Sequence, residues 1–166
     1  MNQRLTNSTL ILFAVFTLFA CQNKERSDIE TVEKPNIDNL NKQIDQWHQA
    51  AENKDADTYF GMMAPESIFI GTDKTENWSK DEFEALYRPY FAEGKSWEFE
   101  RIERNWYFNK QKNIAWFDET LDTWMGICQS SGVMERQING RWLIKHYQLS
   151  LTVDNDKIDA VIEVMK

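Results

Sequence analysis

At 166 residues the chain holds one domain's worth of polypeptide, and a formal net charge of −8 argues against nucleic acid and against binding anionic lipid by charge. Aromatic residues make up 13 % of it, and all seven Trp fall between Trp47 and Trp142, which marks where the folded core lies. So much ring surface suits either a large core or an aromatic-lined cavity, of which ordinary core packing is the plainer reading.

Met1–Ala20 carries one cation, Arg4, ahead of the apolar run Leu10–Ala20. That run is too short to span a membrane and fits a signal peptide over residues 1–20. It ends Leu18-Phe19-Ala20-Cys21, which resembles the bacterial lipobox. The resemblance implies cleavage before Cys21 and lipidation of that residue. It places the protein at the cell envelope, membrane-bound through acyl chains alone. Gln22 after the cysteine implies the outer membrane, facing the periplasm or the surface. With Cys21 acylated, only Cys128 remains, and no internal disulfide can form. Residues 21–36 are polar and charged and read as a flexible tether.

Asn36 can cap a helix whose apolar positions Ile37, Leu40, Ile44, Trp47 and Ala51 form one stripe, with His48 beside it as a partly exposed residue. Asp55 opens a short second helix to Met63, stopped by Pro65. Ser67–Thr72 reads as a strand. Ser79 and Glu82 form a capping box for a third helix with Phe83, Leu86, Tyr87, Tyr90 and Phe91 inward, ending near Gly94. Trp97–Phe108 is a long strand with an irregularity expected near Arg104-Asn105. Three more strands follow: Ile114–Trp124, Val133–Ile138 and Trp142–Val153. Asn139-Gly140 between the last two is a strong hairpin signal, since both residues tolerate positive φ. Asp154-Asn155-Asp156 can cap a last helix over residues 154–166. Helices first, then a run of antiparallel strands, is an α+β pattern with helices covering one face of a bent sheet.

Four motifs in order carry a family resemblance: Phe69-Ile70-Gly71-Thr72-Asp73 with Glu76 and Trp78; Ala115-Trp116-Phe117-Asp118-Glu119; Ser131-Gly132-Val133; and Gly140-Arg141-Trp142-Leu143-Ile144 with His146-Tyr147 and Leu149-Ser150. Together they resemble the SnoaL-like branch of the nuclear transport factor 2-like (NTF2-like) superfamily, over residues 37–153. The resemblance implies a cone: a strongly curved antiparallel sheet wrapped around N-terminal helices, with an internal pocket and a short C-terminal helix. It also implies a homodimer formed through the outer sheet. Isomerases, polyketide cyclases, dehydratases, hydrolases and non-enzymatic binding or assembly domains share that fold, so the fold does not choose a function. Many members carry a second His two residues after the position of His146; here that residue is Gln148.

Strand alternation puts Trp142, Ile144, His146, Gln148 and Ser150 on one face, an apolar wall with a few polar groups that suits a pocket. The other reading makes His146 a satisfied core or interface histidine. In the Ile114–Trp124 strand either Asp118, with Trp116, or Glu119 faces inward, and register alone decides. The candidate catalytic residues are therefore Asp118, Glu119 and His146, a carboxylate–histidine pair in an apolar cavity suited to moving a proton on a small organic substrate. The candidate ligand-binding residues are Asp73, Trp78, Trp116, Arg136, Trp142, Gln148 and Ser150. Asp73 and Glu76 have a plainer reading as turn and surface acids. The expected partner is a small apolar or aromatic molecule, with no cofactor, no metal and no nucleic acid. Ligand holding, cofactor-free catalysis and protein assembly through the outer sheet all remain open at this point. The anchoring expectation is checked by Cys21→Ser: the variant should leave the membrane fraction, and a variant that stays there would overturn the lipobox reading.

Overall fold

A computed structural model describes residues 34–166. The expected signal peptide, the lipidated Cys21 and the tether up to residue 33 lie outside the described residues. Three helices come with their expected caps. Asn36 accepts the Asn39 N–H at 3.0 Å and opens α1 (Ile37–Glu52). Asp55 accepts the Thr58 N–H at 3.0 Å and opens α2 (Ala56–Gly61). Ser79 and Glu82 form the reciprocal capping box of α3 (Lys80–Ala92). The strands are β1 (Met63–Ile70), β2 (Asn77–Ser79), β3 (Phe99–Phe108), β4 (Ile114–Thr123), β5 (Gly126–Arg136) and β6 (Trp142–Leu151). They form one curved, unclosed sheet in the order β2-β1-β6-β5-β4-β3, antiparallel except for the β1–β6 pair.

Several bounds differ from expectation. Pro65 lies inside β1 rather than ending a helix, because the β1–β6 pairing breaks between Met63 and Ile68 and the ring removes no ladder bond there. β5 starts seven residues before the expected Val133, at Gly126. Its first half, Gly126-Ile127-Cys128-Gln129-Ser130-Ser131, is too small and polar to read as a strand, yet pairs continuously with β4. The irregularity in β3 sits at Ile102, between the Arg101–Leu121 and Glu103–Thr120 pairs, not at Arg104-Asn105. The last helix, α4 (Ile158–Val164), forms without a side-chain cap and keeps Ile158, Ile162 and Met165 exposed.

A second bulge corrects the expected faces of β6. Met134 pairs with Ile144 and Val133 with His146, so Lys145 is an extra residue and the alternation changes phase there. Ile144 faces in. Beyond the bulge Tyr147 and Leu149 face in, and His146, Gln148 and Ser150 turn to the outer face. These three do not share a wall with Ile144. In β4 the inward residues are Ala115, Phe117, Glu119 and Leu121, which leaves Trp116 and Asp118 outside.

The concave face of the sheet closes over α1 and α2 on a dense aromatic core. Trp47 stacks on Tyr59 at 4.7 Å and meets Tyr147 edge-on at 4.8 Å; Phe69 stacks on Phe83 at 4.1 Å. Gly132 is the closest approach in this packing. A Cβ there would lie 2.4 Å from Phe117 Cζ and 3.3 Å from the His146 carbonyl oxygen, and Phe117 is fully buried. Gly132→Ala should therefore destabilise the fold by about 1–3 kcal/mol, read as a lower urea midpoint; an unchanged midpoint would show that Phe117 has room to move.

Candidate functional site

Glu119 and its partner Arg104 both have side chains wholly removed from solvent, and Glu119 is the centre of the cluster. Five donors from four elements converge on it. Oε1 accepts from His48 Nε2 at 3.0 Å, Ser130 Oγ at 2.8 Å and Tyr147 OH at 2.9 Å. Oε2 accepts from Arg104 Nε at 2.8 Å and Nη2 at 2.5 Å. An ionised carboxylate only accepts, so His48 carries its proton on Nε2. Arg104 reaches on through Nη1 to Asp45 at 3.0 Å, and Asp45 pairs with Arg101 at 2.8 Å. Charge thus alternates from the interior to the surface: Glu119, Arg104, Asp45, Arg101. Burial would raise the Glu119 carboxyl, but His48, Arg104 and Ser130 outweigh it and hold it at about 2, against an ordinary 4.5. Tyr147, buried and facing that charge, is held well above the ordinary phenol value and stays a donor.

His48 was expected to be partly exposed. It is buried because it continues the Leu40–Ile44 row at i+4, and Glu119 satisfies its ring. Its ring is walled by Trp47, Phe99 and Tyr147 and lines a groove of about 450 Å³ between α1 and β3.

Another concave feature is apolar. A cavity of about 350 Å³ opens between the β1–β2 turn, α3 and the start of β3. Phe69, Trp78, Phe83, Tyr87, Tyr90 and Trp97 form its walls, and Glu76 is the only charged residue among those lining it. The walls meet at steep angles: Tyr87 lies edge-on to Trp78 at 5.7 Å and to Trp97 at 5.4 Å.

The candidate residues read from sequence divide accordingly. Glu119 is in the buried cluster and Trp78 is in the cavity wall. Asp118 is exposed on the outer face and takes Asn105 Nδ2 at 3.0 Å. Trp116, His146, Gln148 and Ser150 share that outer face, so His146 and Glu119 stand on opposite sides of the sheet. Arg136 and Trp142 line a small cleft beside the start of α1, where the Trp142 carbonyl accepts from Gln43 Nε2 at 2.6 Å. Asp73 holds the β1–β2 turn by accepting the Thr75 N–H at 2.8 Å and hydroxyl at 2.6 Å, which also keeps its carboxyl below the usual range. His48, Arg104, Ser130 and Tyr147 were missed. So were Tyr87, Tyr90 and Trp97 as cavity walls. Among the described residues no His, Cys, Asp and Glu cluster could hold a metal ion.

The SnoaL-like domain profile matches residues 40–154. The chain belongs to the SnoaL-like family. A comparison with curated proteins finds no match. Among solved structures it is similar to an NTF2-like protein of unknown function from Pseudomonas putida KT2440, with TM-score 0.58 and 15 % identity over 72 % of this chain and 89 % of that one. It is also similar to an NTF2-like protein from Cytophaga hutchinsonii ATCC 33406, with TM-score 0.59 and 11 % identity over 71 % and 99 %. A third is a protein of unknown function with a cystatin-like fold from Nostoc punctiforme PCC 73102, with TM-score 0.57 and 14 % identity over 72 % and 95 %. At these identities the likeness is one of fold.

The depressed Glu119 carboxyl means the folded SnoaL-like domain binds fewer protons than the unfolded chain below about pH 4.5. Its contribution, on the order of 3 kcal/mol, is fully present above pH 4.5 and lost as pH falls toward 2. Glu119→Gln leaves the buried Arg104 with only Asp45 and Asn41 as partners and should cost roughly 3–5 kcal/mol at neutral pH while flattening this acid limb. Urea unfolding at several pH values checks both; an unchanged acid limb would remove Glu119 as its source.

Proposed function

We propose that this SnoaL-like domain binds a small apolar or aromatic molecule in its aromatic cavity, and that it does so as a homodimer held at the cell envelope by lipid on Cys21. The observation that carries the reading is the cavity itself: about 350 Å³ walled by aromatic rings, with one carboxylate at its edge. Such composition is what small-molecule sites use, apolar walls for affinity and few polar groups for orientation. On the outer face, Tyr107 and Trp116 stack at 6.0 Å and are 44 % and 43 % exposed, which supports pairing with a second copy there.

A second reading, cofactor-free proton transfer of the isomerase or dehydratase kind, is favoured by one observation. His48 is held by the buried Glu119 and borders the α1–β3 groove, so a carboxylate orients an imidazole toward a concave surface. This pair differs from the one suggested by sequence, which set His146 with either Asp118 or Glu119. It ranks second because the groove lining is almost wholly polar and charged, with Phe99 as its one large apolar side chain.

The test is a titration of the full chain with 1-naphthol, followed by the tryptophan indole signals in NMR. Trp78 and Trp97 should shift together, and Trp97→Leu should weaken binding about tenfold or more, whereas Trp116→Leu on the outer face should leave it unchanged. Loss of binding in the Trp116 variant alone would move the site to the outer sheet.

A further inference from the structure

We propose that the occupant of the aromatic cavity is an organic cation, an ammonium group carried on an apolar or aromatic body. This rests on the small-molecule reading above and names its ligand class. The lining holds one carboxylate, Glu76, and no lysine, arginine or histidine. Trp78, Tyr87, Tyr90 and Trp97 line the space, with Tyr87 edge-on to the other three, and any ring that turns its π face to the space attracts a positive charge there. A neutral guest would gain from the rings but would leave Glu76 partly desolvated without a counter-charge; a cation answers both.

The backbone is shaped to keep that carboxylate in place. Glu76 Oε2 accepts the Asp73 N–H at 3.1 Å, and the Gly71 N–H donates to the Glu76 carbonyl at 3.0 Å. The same carboxylate oxygen lies 2.1 Å from where a Cβ of residue 71 would be, so only glycine there lets Glu76 fold over the turn. Burial, then the Glu76 charge and Tyr90, hold the Tyr87 phenol above its ordinary range, so the wall opposite stays neutral. The nearest cation to these rings, Lys95, lies 5.5 Å from the Tyr90 centroid and is tied to Glu93 at 2.7 Å outside the cavity lining. It shows that this ring already accepts a positive charge.

The experiment compares phenyltrimethylammonium with its neutral isostere tert-butylbenzene, on the full chain and on Glu76→Gln, by NMR of the tryptophan indoles. Hydrophobic burial alone favours the neutral compound, so preference for the cation is diagnostic. The expected result is that the cation binds at least about tenfold tighter, that Glu76→Gln removes most of that margin, and that the affinity for tert-butylbenzene does not change. Equal or tighter binding of tert-butylbenzene, with no effect of Glu76→Gln, would overturn the cation assignment and leave the apolar-ligand reading standing. Failure of both compounds to shift Trp78 or Trp97 would overturn both.

Discussion

The buried Glu119 carboxylate is the constraint on which the rest of the structure depends. A lone carboxylate in that position would be prohibitively desolvated. It is kept because α1, β3, β5 and β6 each bring a donor to it: His48, Arg104, Ser130 and Tyr147. Those donors are in range only if every strand holds its register. A slip of one residue in β4 would turn Glu119 outward and bring Asp118 into the core, so the cluster and the sheet register specify each other. The charges balance along the line from Glu119 through Arg104 and Asp45 to Arg101, which ends at the surface where water completes the solvation.

This arrangement also decides where a ligand could go. The interior around the ion cluster is filled by Trp47, Phe117 and Tyr147, all fully buried. A carboxyl held at about 2 stays ionised at working pH and cannot give up a proton, which suits a structural anchor better than a general acid. The aromatic cavity is different. Trp78, Tyr87, Tyr90 and Trp97 are only half buried there, and Glu76 faces them from a turn rather than from the core. The proposed binding function therefore sits apart from the Glu119 ion cluster, although Phe69 and Phe83 serve both the core and the cavity wall.

Much of this was legible in the sequence. The α1 stripe, the Asp55 cap and the Ser79–Glu82 capping box rest on local chemistry and emerge as expected. The four spaced motifs pointed to the right fold. The inner face of β4 could not be chosen because Asp118 and Glu119 are adjacent acids and period-2 alternation fits either. The partners of Glu119 did carry a signal: Arg104 and Ser130 stand directly opposite it across the two neighbouring strands, so locating the Lys110–Asn113 turn and the Trp124–Gly126 turn would have paired them. The face of His146 was not recoverable. One extra residue at Lys145 reverses the alternation, and nothing in Leu143-Ile144-Lys145-His146 marks a bulge. His48 was readable as the i+4 successor of Ile44, but a polar residue beside a stripe defaults to the surface unless its partner is known.

The central claim is that the aromatic cavity, and neither the His48 groove nor the outer sheet, is where a small molecule binds. The most direct measurement is a crystal structure of the protein soaked with a small aromatic ammonium compound. The account predicts ordered ligand between Trp78, Tyr87 and Trp97, with its charged end toward Glu76. Ligand ordered in the groove against His48 and Phe99, with the aromatic cavity holding only solvent, would contradict it and make the His48–Glu119 pair the functional centre.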